Sequence, residues 1–369
     1  LENSLGNGLL PEIFDSSHFD TGEIAILKSA YPVENSCVMV AGGAGFVGSA
    51  LVRELFLYKA RVVVYDNFLH GARENLSFEA AGADSLTVVS GDVLDVSKLE
   101  ETIKTHDVRY IINCAGDTFV PTAYEIPQRF FDINLQGAFN ILTVARTCSV
   151  ERVLHVSSTE VYGEQNGEPI SEDFPLAPLN TYAVSKLAAD RLCFTFFAEH
   201  RIPVVIARIF NCFGPRETHP YIIPEIISQL NRSASVSLGN VEAERDFTYV
   251  HDTARALIAL LASDVPNGEA VNVGTGKVWK VSELVRIIAE IMNIDSVELK
   301  LDERRLRRLD IDRFECDNSK LRRYTGWSPQ VDLHEGLRRT IEWFKENNRQ
   351  WSWEKSSNDV VFGRGGFNK

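Results

Sequence analysis

Four glycines fall within seven residues, Gly42, Gly43, Gly45 and Gly48, between a β-branched run, CVMVA (Cys37–Ala41), and a helix-patterned SALVREL. A chain that leaves a buried strand through so many glycines must turn sharply and enter a helix at once. Glycine allows positive φ in such a turn and leaves the first helical amides uncovered. Downstream, the runs RVVVY, LTVV, RYIIN, RVLHVS and IPVVIAR alternate with segments whose apolar residues recur at helical spacing. Strand, helix, strand in this rhythm predicts an α/β fold, a doubly wound parallel sheet covered by helices on both faces.

After about Arg208 the rhythm loosens into a loop, FNCFGPRETHP, a helix-like YIIPEIISQL, short strands near Val236 and Phe247, and helices at about 251–263, 281–292 and 333–347. The expected division is an N-terminal extension over 1–36, a nucleotide-binding domain over 37–208, a smaller C-terminal α/β lobe over 209–350 interleaved with the last sheet strands, and a tail over 351–369. A net charge of −13 argues against a nucleic-acid or acidic-membrane partner bound through a basic field. Six cysteines without a CxxC pair predict reduced thiols rather than a disulfide framework or a zinc site, and no metal is expected. No apolar run approaches the roughly 20 residues that span a bilayer, and the N-terminus lacks a basic start, so a cytoplasmic protein is expected.

The glycine turn satisfies both GxGxxG and GxxGxxG, with Phe46 and Val47 between its last glycines. Its context sharpens it: the second strand ends in Asp66, 18 residues beyond Gly48, followed by Asn67. A carboxylate there accepts both hydroxyls of an adenosine ribose and repels a 2′-phosphate, which favours NAD over NADP. Gly42, Gly45, Phe46, Val47, Gly48, Asp66 and Asn67 are therefore expected to hold the cofactor. Asp92 and Val93 after the third strand would flank the adenine, unless GDV merely leads into a helix capped at Asp95 or Ser97. Ala115, after the fourth strand, completes the cofactor set.

In NTYAVSKLAAD, Tyr182 and Lys186 are four apart on one predicted helix and so share a face. A nearby ammonium lowers a phenol's pKa, and a phenolate near neutrality is a usable general base. With AGGAGFVG, SSTEVYG, YAVSK, RIFNCFGP, ERDFTYVHD and DNSKLRRYTGWSP all present, the chain from about 37 to 347 resembles an extended short-chain dehydrogenase/reductase of the nucleotide-sugar epimerase and dehydratase group. The resemblance implies a Rossmann domain with resident NAD, a C-terminal lobe for a nucleoside-diphosphate sugar, GDP or UDP favoured, and a homodimer through a four-helix contact. Helices at about 124–147 and 181–199 are the candidates for that contact. It further implies that Ser158 hydrogen-bonds the sugar oxygen being oxidised, that Tyr182 takes its proton, and that Lys186 tunes Tyr182 and holds the nicotinamide ribose. Asn211 and Arg245 resemble residues that bind the substrate diphosphate, and Arg216 is expected to bind substrate as well. The run RRLRRLDIDRFECDNSKLRRYTGWSP places Arg307 and Asp310 at nucleotide-binding positions, with Arg308 and Asp310 departing from the proline and glutamate of the GDP-mannose 4,6-dehydratase pattern. A solvated basic helix face is the alternative reading of these arginines.

Glu160 separates the reactions within that group. A 4-keto sugar has an acidic C5 proton, and the resemblance implies a glutamate here that removes it, so that water leaves from C6. A 4,6-dehydratase is the leading expectation; a 4-epimerase and a UDP-glucuronate-type decarboxylase remain open. Beside it stands Thr159, where dTDP-glucose dehydratases carry an aspartate that protonates the leaving hydroxyl.

Overall fold

In a computed structural model, which describes residues 33–77, 85–164, 167–306 and 309–354, seven parallel strands form the central sheet in the order β10-β6-β5-β4-β1-β2-β3. The strands are β1 (Cys37–Ala41), β2 (Arg61–Asp66), β3 (Leu86–Ser90), β4 (Tyr110–Asn113), β5 (Arg152–Ser158), β6 (Val204–Ile209) and β10 (Ala270–Val273). Every strand carries apolar side chains on both faces because both faces are covered. Along β1, Val38 and Val40 join a core with α1 (Phe46–Leu57) and α6 (Val250–Ala262). Cys37, Met39 and Ala41 point into the opposite core against α2 (Val96–His106), α3 (Gly137–Thr147) and α4 (Thr181–His200). The Rossmann expectation is met: the order of the sheet reverses between β1 and β4, and a crevice opens at the carboxyl ends there.

The lobe is built from α5 (Ile222–Arg232), α7 (Val281–Ile291), α8 (Leu333–Glu346) and small sheets in which β9 (Glu244–Tyr249) pairs with β7 (Asn211–Phe213), β11 (Val278–Lys280) and β13 (Arg313–Phe314), and β8 (Ser235–Leu238) with β12 (Glu298–Leu301). Interleaving is extensive. α6 and β10 follow β9 in the chain yet belong to the large sheet, with β10 in register beside β6 from Ala270↔Ile206 to Val273↔Ile209. Arg152, fully buried at the start of β5, seals this return: its guanidinium donates to the carbonyls of Leu261, Ser263 and Val265 just past α6.

The structure corrects three local expectations. The helix at about 124–147 is broken: Val120–Glu125 and Pro127–Phe130 are short helical pieces, Phe131–Gln136 is a π-helical turn, and only Gly137–Thr147 runs as a regular helix. Pro127 lacks the amide that a continuous helix needs at that point. The start of the expected tail is core instead: Trp351 is fully buried, donates its indole N–H to Ser228 Oγ at 2.9 Å and stacks on Trp353 and Phe344. Its flanking polar residues hid it, because a single anchoring tryptophan has no period. The arginine run is a solvated helix face only at Arg322 and Arg323, on the short helix Ser319–Thr325, whereas Glu303–Arg305 forms one 3-10 turn and Arg305 pairs with Glu225 at 2.9 Å.

Candidate active site

A cavity of about 1030 Å³ runs from the glycine turn, across the carboxyl ends of the sheet, to the lobe. At its near end Gly42 adopts φ +75°, and a Cβ there would lie 2.8 Å from Ala115 N. A Cβ on Gly48 would lie 2.1 Å from Gly42 O, which makes the turn glycine-only. α1 begins at Gly45 with no side-chain cap, so its first amides face the cavity as a pyrophosphate cradle. Asp66 is 93% buried, with Oδ2 accepting from Ala44 N at 2.9 Å and Oδ1 from Phe68 N at 2.7 Å. Those backbone donors counter the burial that pushes its pKa up, and each oxygen keeps a second lone pair for a ribose hydroxyl. Asn67 Nδ2 donates to Asp92 Oδ2 at 2.9 Å, so these two residues form one rim with Val93 beside them. Asp95, not Ser97, caps α2 through Lys98 N at 3.0 Å. Ala115 and the turn residues Phe46 and Val47 also line the cavity. The donor set thus fits an NAD molecule.

Beyond β5 the chain makes the 3-10 turn Thr159–Tyr162, capped by Ser158 Oγ accepting from Glu160 N at 3.2 Å. Gly163 closes it at φ +65°, where a Cβ would sit 1.9 Å from Ala177 O. Beneath the turn, Tyr162 Oη accepts from Arg208 and donates to Asn272, while Arg208 forms a buried two-point pair with Asp190 at 2.8 and 3.1 Å. Three elements therefore fix the floor under Ser158, Thr159 and Glu160. Asn180 fixes their flank: Oδ1 caps α4 through Ala183 N at 2.8 Å, and Nδ2 donates to Glu160 Oε2 at 3.1 Å. Tyr182, the second residue of α4, hydrogen-bonds Ser158, so the hydroxyl pair expected from the sequence is assembled.

The predicted ammonium effect on Tyr182 does not dominate. Burial pushes the phenol's pKa up, opposed by the Ser158 bond, while Glu160 and Asp117 add to the rise. Lys186 Nζ donates instead to Val156 O at 2.5 Å, and burial drives its own pKa down to about 8. In a dry site desolvation outweighs an ammonium already engaged by a carbonyl.

The substrate-side residues divide. Asn211, Arg245 and Asp310 line the cavity, with Arg245 Nη2 at 3.4 Å from Asp310 Oδ1 and its guanidinium over Phe314. Arg216 is not among the lining residues. Its backbone is left-handed, φ +67°, and burial with repulsion from Arg53 on α1 lowers its pKa. Arg307 lies outside the described residues.

Several lining residues carried no signal in the sequence. Thr118 and Tyr221 join hydroxyls at 2.7 Å across the cavity, from the sheet side to the first long helix of the lobe. His219 stacks on Phe119, with its ring 4.7 Å from that of His70. His70 and His219 surround buried Asp117 closely enough to suggest a metal triad. Arg129 already supplies the cation there, with Nε 2.6 Å from Asp117 Oδ2 and Nη2 2.6 Å from His70 Nε2. Burial would raise the Asp117 pKa, but His70 and Arg129 hold it below the usual carboxylate range. Asn134, inside the π-helical turn, takes Asp117 N–H at 2.8 Å and donates to Asp117 O and Ser185 Oγ, each at 2.9 Å. Only the ETHPY segment after GPR, dense in polar and aromatic residues for a loop, could have pointed to part of this wall.

Residues 39–340 match the family model of GDP-mannose 4,6 dehydratase. A putative UDP-glucose 4-epimerase of Methanocaldococcus jannaschii is 32% identical over 85% of this chain and 99% of its own. Among solved structures, a dTDP-glucose 4,6-dehydratase from Streptomyces venezuelae with NAD bound is 30% identical at a TM-score of 0.79, covering 86% of this chain and 100% of its own. A UDP-N-acetylglucosamine 4-epimerase from Methanobrevibacter ruminantium is 31% identical at a TM-score of 0.78, covering 85% and 99%.

Proposed function

We propose, for a chain that belongs to the GDP-mannose 4,6-dehydratase family, that it is an NAD-dependent 4,6-dehydratase of a nucleoside-diphosphate sugar, GDP or UDP favoured. The observation that carries this reading is Glu160: a carboxylate on the turn after β5, oriented by Asn180, lining the same cavity as the Ser158–Tyr182 pair. Bound NAD would supply the acceptor for a hydride from C4 and the donor of a hydride to C6. Gly42, Gly45, Gly48 and Asp66 hold it, with Phe46, Val47, Asn67, Asp92, Val93 and Ala115 around it and Lys186 at its ribose. Tyr182 takes the proton of the 4-hydroxyl while Ser158 holds that oxygen. Glu160 removes the C5 proton, which the new ketone has made acidic, and water leaves from C6. Asn211 and Arg245 grip the diphosphate, and Asp310 lies on the nucleotide side, where the sequence also assigns Arg307. Arg216, which is not among the residues lining the cavity, is left out of this set.

A 4-epimerase is the second reading, favoured by Thr159, a hydroxyl where an acid would assist dehydration. Product mass separates the two when the purified protein is incubated with GDP-, UDP-, dTDP- and CDP-sugars. Loss of one water supports the dehydratase, an unchanged mass with a new sugar the epimerase, and loss of carbon dioxide a decarboxylase. The same reading extends to a cytoplasmic homodimer. Its support is an apolar surface on α3 and α4, where Phe139, Val184 and Phe194 are each about 40% exposed, and a set of six unpaired thiols. No helix among the described residues is long and apolar enough to cross a membrane.

A further inference from the structure

Dehydration needs two proton handlers, a base at C5 and an acid at the departing 6-hydroxyl. Thr159 is not an acid, although its buried Oγ1 has no hydrogen-bond partner and lines the cavity. The carboxyls that line the cavity can be sorted by what already holds them. Asp66 and Asp92 belong to the cofactor end, tied to backbone amides and Asn67. Glu225 is paired with Arg305, and Asp310 with Arg245. Glu125 is exposed at the rim, and Glu160 is held by Asn180. Glu217 differs from all of these. It is 98% buried, it lines the cavity, and its Oε2 has no hydrogen-bond partner.

Resting on the dehydratase reading, the geometry points to Glu217 as the acid that protonates the 6-hydroxyl as the C6–O bond breaks. Its position is on the reacting side. Glu217 lines the cavity together with Ser158, Thr159, Glu160, Tyr182 and Tyr221, whose hydroxyl is bonded to Thr118. Burial raises the Glu217 pKa well above the usual carboxylate range, against one backbone donor at Gly214, which favours the protonated form. This is the protonation state an acid requires, whereas Glu160 works as the base.

The protons balance. Glu160 takes the C5 proton, leaving an enolate delocalised into the C4 ketone, and that electron pair then forms the C5=C6 bond as the C6 oxygen leaves with the Glu217 proton as water. Glu160 returns its proton to C5 when C6 receives the hydride. Tyr182 has then gained one proton from the 4-hydroxyl and Glu217 has lost one, so a single proton passing from the first to the second resets the site. Thr159 serves as a positioning residue that holds the 6-oxygen by hydrogen bond.

The test uses Glu217→Gln in the full-length protein, in D2O, with whichever sugar nucleotide the wild type dehydrates. Expected is a loss of water release of at least about 100-fold, while recovered substrate still gains deuterium at C5, because oxidation and Glu160 are untouched. The double variant Glu217→Gln with Thr159→Asp, which supplies an acid beside Glu160, is expected to regain dehydration. Unimpaired water release in Glu217→Gln overturns the proposal. So does loss of C5 exchange together with dehydration in a variant that retains NAD and the wild-type melting temperature, since Glu217 would then act earlier than the C6 step. If the wild type releases no water from any sugar nucleotide, the dehydratase reading itself fails, a different result from wild-type dehydration that survives Glu217→Gln.

Discussion

Glu160 carries its chemistry because Asn180 does two tasks at once, capping α4 and orienting the carboxylate. Replacing Glu160 by Gln keeps the shape and the Asn180 contact but removes the base. Dehydration should fall at least about 100-fold, while oxidation at C4 persists, a split visible by comparing product mass with transient nicotinamide reduction in single-turnover reactions. Lys186 allows a pH prediction. Its pKa falls from 10.5 in the unfolded chain to about 8 when folded, so between those values the unfolded state binds more protons and stability rises with pH. The penalty for burying its charge is fully present below pH 8. Relative to Lys186→Met, the wild type should gain up to roughly 3 kcal/mol between pH 8 and 10.5, measured by denaturant unfolding. Motif residues such as Gly42, Asp66, Ser158 and Tyr182 were legible because their chemistry is written in adjacent letters. Glu217, Tyr221 and Thr118 were not, because they meet only across the cavity, 103 residues apart in the case of the hydroxyl pair.

At the level of elements, the strands were readable because β-branched runs buried on both faces have few other uses. Segment 120–136 was not, because its form is set by contacts rather than by propensity. The π-helical turn presents Asn134 to both the backbone of Asp117 and Ser185, whose hydroxyl in turn donates to Tyr182 O at 2.7 Å. π-turns of this kind recur at functional sites since they re-aim one side chain. Asn134→Ala should cost about 3 kcal/mol, because it leaves the buried Asp117 N–H and C=O unpaired. Urea unfolding gives that loss, and a fall in kcat with KM little changed would show that the bond chain also sets Tyr182.

For the molecule as a whole, the apolar residues left on α3 and α4 are larger than a solvated helix pair needs. Phe194→Arg should turn a dimer into a monomer in sedimentation velocity at micromolar concentration, with the melting temperature falling as the protein is diluted. Such quaternary contacts were legible only through the family resemblance. The sequence alone places both helices but does not say which of their faces would meet a partner, since α4 mixes polar and apolar residues on every side, with Lys186 and Asp190 buried while Val184 and Phe194 are exposed.

The return of α6 and β10 to the large sheet also governs how the protein can be born. On a ribosome, residues up to 209 emerge as six strands whose outermost member, β6, has an unpaired edge until Ala270–Val273 arrive. Until then Arg152 is a cation in a forming core without the three carbonyls that satisfy it. Folding of the nucleotide-binding half is thus delayed until β10, Ala270–Val273, has been made, and an exposed β6 edge is an aggregation hazard in that interval. A fragment covering 33–209 should be insoluble, whereas one extended to 33–330, which restores both the edge strand and the Arg152 acceptors, should remain in solution; equal solubility of the two on expression would refute this order of assembly.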